Sequence, residues 1–138
     1  FLGAANKNIG DAFLVVWKYP EDACHKDPET KYLTVKKTMA NKQRADMSLV
    51  SFLKILSEIK QSAKLEKYKE NEMLNERMPN YCVKLGFGLH IGWAIEGAIG
   101  SDFKIDASYL SPNVNMASTL EAATKQYGTP LLLTGELY

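Results

Sequence analysis

Residues 83–92, VKLGFGLHIG, alternate apolar and minimal side chains. Successive side chains of a strand point to opposite faces. Leu85, Phe87, Leu89 and Ile91 therefore share one face, and Gly86, Gly88, His90 and Gly92 share the other. The first face is core. The second is stripped of side chains, as happens where a backbone or a ligand must come close. A chain with such a strand has to bring something against both of its sides.

The surrounding segments supply candidates. FKIDASYL (103–110) reads as a neighbouring strand, and LLLTGELY (131–138) as the start of another. Between them, Ser111-Pro112 has the order of a helix start: a capping hydroxyl, then proline at the first helical position. Met116, Leu120, Ala123 and Tyr127 form the expected apolar stripe, Gly128 the stop, and Pro130 the block to continuation. Upstream, residues 8–17 read as a hairpin whose arms want burial, and Gly10-Asp11 with glycine first is the type II′ turn signature. Asp46 resembles a helix cap, with Leu49, Phe52, Leu53, Leu56 and Ile59 following at helical spacing. Residues 19–44 read as a long loop or insertion. Residues 61–80 are charge-dense and read as a helix extension plus loop with a solvated face.

At 138 residues this is one domain, 1–138, with insertions near 19–44 and 61–80. Hairpin, helix, strand pair, helix and strand in that order predict an α+β fold, a ferredoxin-like antiparallel sheet with helices packed on one face. The formal charge of +1 creates no field for nucleic acid or an anionic membrane. No run is apolar enough to span a membrane and no signal peptide is present. Cys24 and Cys82 are read as reduced thiols of a cytoplasmic or cytosol-facing domain. The chain begins at Phe1 and ends at Tyr138 inside a strand-like run, so both ends read as cut from something longer.

Taken singly, the candidate chemical groups have plain explanations. Asp11 is a turn residue by default; aimed outward, it is one hard-oxygen ligand for a divalent metal, and needs a partner acid. His90 has no second histidine at ligand spacing and reads as packed or hydrogen-bonded. Cys24-His25 beside Asp22 and Asp27 lacks a trustworthy ligand spacing. The glycines spell neither a dinucleotide fingerprint nor a P-loop. Asn115 and Thr119 are one helical turn apart and share a face distinct from the Met116–Leu120 stripe.

Together, NKNIGDAF, GFGLHIGWAIEGAIGS and SPNVNMASTLEAA resemble, in order and spacing, the catalytic domains of class III nucleotidyl cyclases, the adenylyl and guanylyl cyclases. The similarity spans most of the chain outside 19–44 and 61–80, and the wording is most like protist or ciliary-type domains. The resemblance implies ATP or GTP as substrate, held between two paired cyclase domains, as a homodimer or heterodimer. It also implies two Mg²⁺ or Mn²⁺ ions carried by two aspartates. Asp11 matches the second of these. Lys7 matches the purine-selecting position that is usually Lys in adenylyl and Glu in guanylyl cyclases. Ser108 matches the second selecting position, and Asn115 the residue that orients the ribose. The implied activity is conversion of ATP to 3′,5′-cyclic AMP and pyrophosphate in cyclic-nucleotide signalling.

The match departs from the family in three places. The first metal aspartate would lie before Phe1, and a phosphate-binding lysine beyond Tyr138. The transition-state arginine belongs four residues after Asn115, where this chain has Thr119. Loss of such a donor costs on the order of 10²–10⁵ in rate. The alternatives are therefore a catalytically impaired pseudocyclase half that regulates or scaffolds through dimerisation, or a guanylate cyclase.

Overall fold

The computed structural model describes residues Phe1–Tyr138. Strands β1 (Ala4–Ile9) and β2 (Ala12–Val16) form an antiparallel hairpin. Gly10 adopts φ +64° at the first turn position while Asp11 does not share the left-handed region, so glycine takes the conformation that a side chain resists. The arms are less covered than the sequence suggests: Ile9 and Phe13 near the turn are exposed, because the hairpin extends beyond the elements packed against it.

Residues 19–44 are structured where a loop is expected. A 3-10 turn (Glu21–Ala23) leads into a hairpin of β3 (Cys24–Lys26) and β4 (Leu33–Val35). Helix α1 then runs Met39–Gln61. Its cap is Thr38, whose hydroxyl accepts from the Asn41 amide at 3.3 Å; Asp46 lies inside the helix and caps nothing. The buried Asn41 side chain donates to the carbonyls of Ala23 (3.1 Å) and Lys36 (2.8 Å), tying both ends of the small hairpin to the helix. After α1, the charge-dense stretch forms two short helices, α2 (Ala63–Glu66) and α3 (Glu72–Arg77), with no buried residue in either.

The glycine strand is short. β5 covers Phe87–Leu89, and Leu85 before it stays partly exposed. β6 (Ile95–Ser101) and β7 (Lys104–Leu110) make a long antiparallel ribbon. α4 spans Pro112–Tyr127, and β8 (Leu131–Leu133) closes the order. The result is a mixed α/β fold of small antiparallel sheets and helices. One pair differs from an all-antiparallel expectation: β5 and β8 run parallel, because α4 carries the chain back across to the same end.

Alternation in β5 assigns its neighbours. The Phe87 ring meets Phe52 of α1 at 4.9 Å, and Phe52 meets Trp17 edge-on at 5.4 Å. The glycines face α4 instead. A Cβ on Gly88 would press on the Ala117 carbonyl and stand 2.5 Å from the Glu121 nitrogen. So α4 lies against the glycine face of β5 and not the Leu85–Phe87 face; its backbone fills the space that the absent side chains leave. This also turns the helix. Ala117, Leu120, Glu121 and Thr124 face inward, while Met116 and Tyr127 of the expected stripe are exposed. Both ends of α4 are as read: Ser111 caps, Pro112 is first, and Gly128 sits at φ +64°.

Candidate active site

The bulge between Ala5 and Lys7 in β1 places consecutive side chains, Asn6 and Lys7, toward β7. The Lys7 ammonium donates to Asp106 Oδ2 at 2.7 Å and to Ser108 Oγ at 2.6 Å. Asn6 Nδ2 reaches the Ala107 carbonyl at 3.4 Å, while its Oδ1 is buried without a partner. Two residues separated from β7 by 99 to 101 positions in sequence thus grip three consecutive residues of it. Lys7 and Ser108, matched from opposite ends of the sequence, are in direct contact. Asp106 was not singled out from the sequence. Its signal was there: two residues before Ser108 on a strand, it shares the same face.

A second tie lies beyond β2. Lys18 Nζ bonds Glu96 Oε1 at 2.6 Å and stands 5.8 Å from the centre of the Tyr109 ring. Hydrogen bonding to Glu96, then to Tyr109, raises the Lys18 pKa above its ordinary value; the same bond to Lys18 holds Glu96 below its own.

Asn115 and Thr119 share an exposed face of α4, as expected. The Thr119 hydroxyl donates to the Asn115 carbonyl at 2.9 Å, a bond back along its own helix that leaves only an oxygen where a guanidinium would reach outward. No hydrogen bond joins this pair to the Lys7 cluster. Asp11 stands at the exposed hairpin tip, and no group of three or more His, Cys, Asp or Glu residues converges anywhere in the chain. Asp11 therefore does not make a centre for Mg²⁺ or Mn²⁺ with the residues present: hard cations of this kind need several oxygen ligands.

His90 is hydrogen-bonded on both nitrogens, to Thr134 Oγ1 at 2.9 Å and to Asn113 Oδ1 at 3.0 Å. Free Cys24 and Cys82 take no part in these arrangements.

Searches of known proteins give a consistent relationship. No family model matches the chain. It is 38% identical over 52 residues to an adenylate cyclase of Anabaena cylindrica, covering 38% of this chain and 10% of that protein. It is 39% identical over 49 residues to adenylate cyclase 1 of Rhizobium meliloti (strain 1021), covering 36% of this chain and 7% of the relative. Among solved structures, a bacterial light-regulated adenylyl cyclase superposes with a TM-score of 0.60 at 28% identity, over 99% of this chain and 31% of that one. A second structure of such a cyclase matches equally, at 29% identity over 98% of this chain. The chain is thus similar in part of its sequence, and over nearly all of its fold, to adenylyl cyclases. The matched stretch spans a tenth or less of the curated relatives and about a third of the solved chains. No helix of the domain is long and apolar enough to cross a membrane.

Proposed function

We propose that this cyclase domain acts in an adenylate cyclase, converting ATP to 3′,5′-cyclic AMP and pyrophosphate, paired with a second cyclase domain. The observation that carries the reading is the Lys7 ammonium held between Asp106 and Ser108. An ammonium has three protons and no lone pair. Two are committed, and the third is free to donate to adenine N1. The other oxygen of Asp106, a half-exposed carboxylate, is free to accept from the 6-amino group. Guanine inverts both: its N1–H would face a donor and its O6 an acceptor. A pocket built to pair such groups rejects the inverted base strongly, because its own polar atoms go unpaired.

Pairing with a second domain is supported by the ribbon. Ile95, Ile99, Ile105 and Phe103 are exposed along β6–β7 or at its turn, more apolar surface than a strand pair leaves in water without a partner. In such a pair Asn115 and position 119, projecting from α4, are offered to the neighbouring domain's substrate. Asp11 offers one hard-oxygen ligand to Mg²⁺ or Mn²⁺.

A second reading, a regulatory half without turnover, is favoured by Thr119, whose hydroxyl is spent within its own helix. Cyclisation of ATP and GTP by the intact protein in its native assembly separates the two. Lys7→Glu should move the ATP/GTP ratio toward GTP by about tenfold or more. An unchanged ratio in a folded protein would remove the base-reading role. A dimer that binds ATP over GTP and yields no cyclic nucleotide would select the regulatory reading.

A further inference from the structure

The first turn of α4 hangs on a polar relay that passes through His90. The Trp93 carbonyl accepts from Ser111 Oγ at 2.6 Å and from Asn113 Nδ2 at 2.9 Å. Ser111 Oγ in turn accepts from the Asn113 amide at 2.8 Å. A carbonyl can only accept, so the Asn113 amide must turn its NH₂ toward Trp93 and its oxygen toward His90. That oxygen, 3.0 Å from Nε2, requires Nε2 to carry a proton. In the neutral ring Nδ1 is then bare and accepts from the Thr134 hydroxyl at 2.9 Å. The direction of each hydrogen bond from Trp93 to Nε2 follows from the one carbonyl.

The relay is built into the fold at both ends. His90 follows β5 directly and Thr134 follows β8, so the imidazole spans the carboxyl ends of the parallel pair. Its side chain is 7% exposed. Gly92 leaves room for Asn113: a Cβ there would stand 2.5 Å from Nδ2 and 2.6 Å from Oδ1. Glu136 Oε2 lies 3.6 Å from Nδ1, facing the ring from the loop after β8, and is the one other charged group beside it.

We infer that His90 is a positioning residue for Asn115. Asn113 is two residues before Asn115 in the same first turns of α4. The glycine-lined contact at Gly88 holds the middle of the helix against β5, at Ala117 and Glu121. The His90–Asn113 bond sets how its start is rotated and tilted. Asn115 itself makes no side-chain bond within the chain that would hold it there. Asn113 fixes the tautomer; the Thr134 hydroxyl, bonded at Nδ1, holds the ring in the orientation that aims Nε2 at Asn113. This inference rests on the cyclase reading only for what Asn115 does, not for how it is held.

Two readouts in the intact protein keep these separate. Amide hydrogen exchange of α4 reports the positioning. His90→Leu should raise exchange at residues 114–117 by about tenfold relative to residues 121–125, since one buried hydrogen bond to a polar partner is lost and the partner is left unsatisfied. His90→Gln, whose amide can donate to Asn113 Oδ1, should restore most of the protection. Thr134→Val should give an intermediate loss. Cyclase kinetics report the consequence: kcat should fall about tenfold in His90→Leu with KM for ATP little changed, and His90→Gln should recover it. Uniform exchange along α4 in all three variants would overturn the inference, as would equal protection in His90→Leu and His90→Gln. If exchange responds as described while Asn115→Ala leaves turnover unaltered, the positioning stands and the cyclase role of Asn115 fails.

Discussion

Gly88→Ala tests the packing on which the domain is built. The new Cβ would point at the α4 backbone, 2.5 Å from the Glu121 nitrogen and 3.0 Å from Leu120 Cβ, where ordinary contact begins at 3.4 Å. The atoms opposed to it are mostly main chain, so no rotamer change relieves the overlap; β5 and α4 must separate by about an ångström. Overpacking of one methyl costs typically about 1–3 kcal/mol. Opposing it, alanine stiffens the unfolded chain, worth about 0.4–1 kcal/mol in favour of the native state. The net expectation is a loss of about 1–2 kcal/mol. Gly97→Ala is the matched control, since nothing lies within 4 Å of its Cβ and its φ is ordinary. Urea unfolding followed by tryptophan fluorescence reads both, because Trp17 sits on Phe52 beside this contact. The two variants should differ in midpoint with little change in slope. Equal midpoints would refute the assignment of α4 to the glycine face of β5.

Three further outcomes are expected. Phe52→Ala removes the ring shared by Trp17 and Phe87 and should cost about 3–5 kcal/mol in the same unfolding assay, less if the thin core collapses into the gap. On the proposed cyclase function, Thr119→Arg in the intact protein should raise the maximal rate, on the order of 10²-fold or more, with little change in ATP affinity. The guanidinium acts on charge that develops during reaction, and steady-state kinetics check this. The Lys18–Glu96 tie should persist across neutral pH. Glu96 titrates below its ordinary 4.5 and Lys18 above 10.5, so the contribution is lost as pH falls through the depressed carboxyl value or rises through the elevated ammonium value. Side-chain carboxyl NMR of Glu96 between pH 2 and 6, with Lys18→Met as reference, measures the acid limb; coincident titration in the two would remove the pairing.

Local signals were legible in the sequence and distant ones were not. Ser111-Pro112 and Gly128 announce the ends of α4 because capping is decided within a few residues. Gly10-Asp11 fixes the hairpin turn for the same reason. The start of α1 was misplaced because residues 39–45 show no apolar stripe at helical spacing, so Asp46 stood out while Thr38 and Asn41 acted together upstream. The glycine face of β5 correctly demanded a close neighbour. Which neighbour came was a tertiary matter, and with it went the true inward face of α4. In the candidate site, Lys7 and Ser108 were assigned through family resemblance, while Asp106 needed the fold to bring it to Lys7. The partner carboxylate that Asp11 needs was expected before Phe1, and no cluster of acidic, histidine or cysteine residues forms within the chain.

The hairpin β1–β2 and the ribbon β6–β7 meet mainly through charged side chains, one partly buried at Lys7 and one open to water at Lys18. The strength of such a junction depends on the ionic strength of the solvent. Raising ionic strength screens the outer pin within a Debye length of about 8–10 Å and leaves the inner one largely intact. Electrolyte concentration would thus weaken one of the two ties between hairpin and ribbon more than the other.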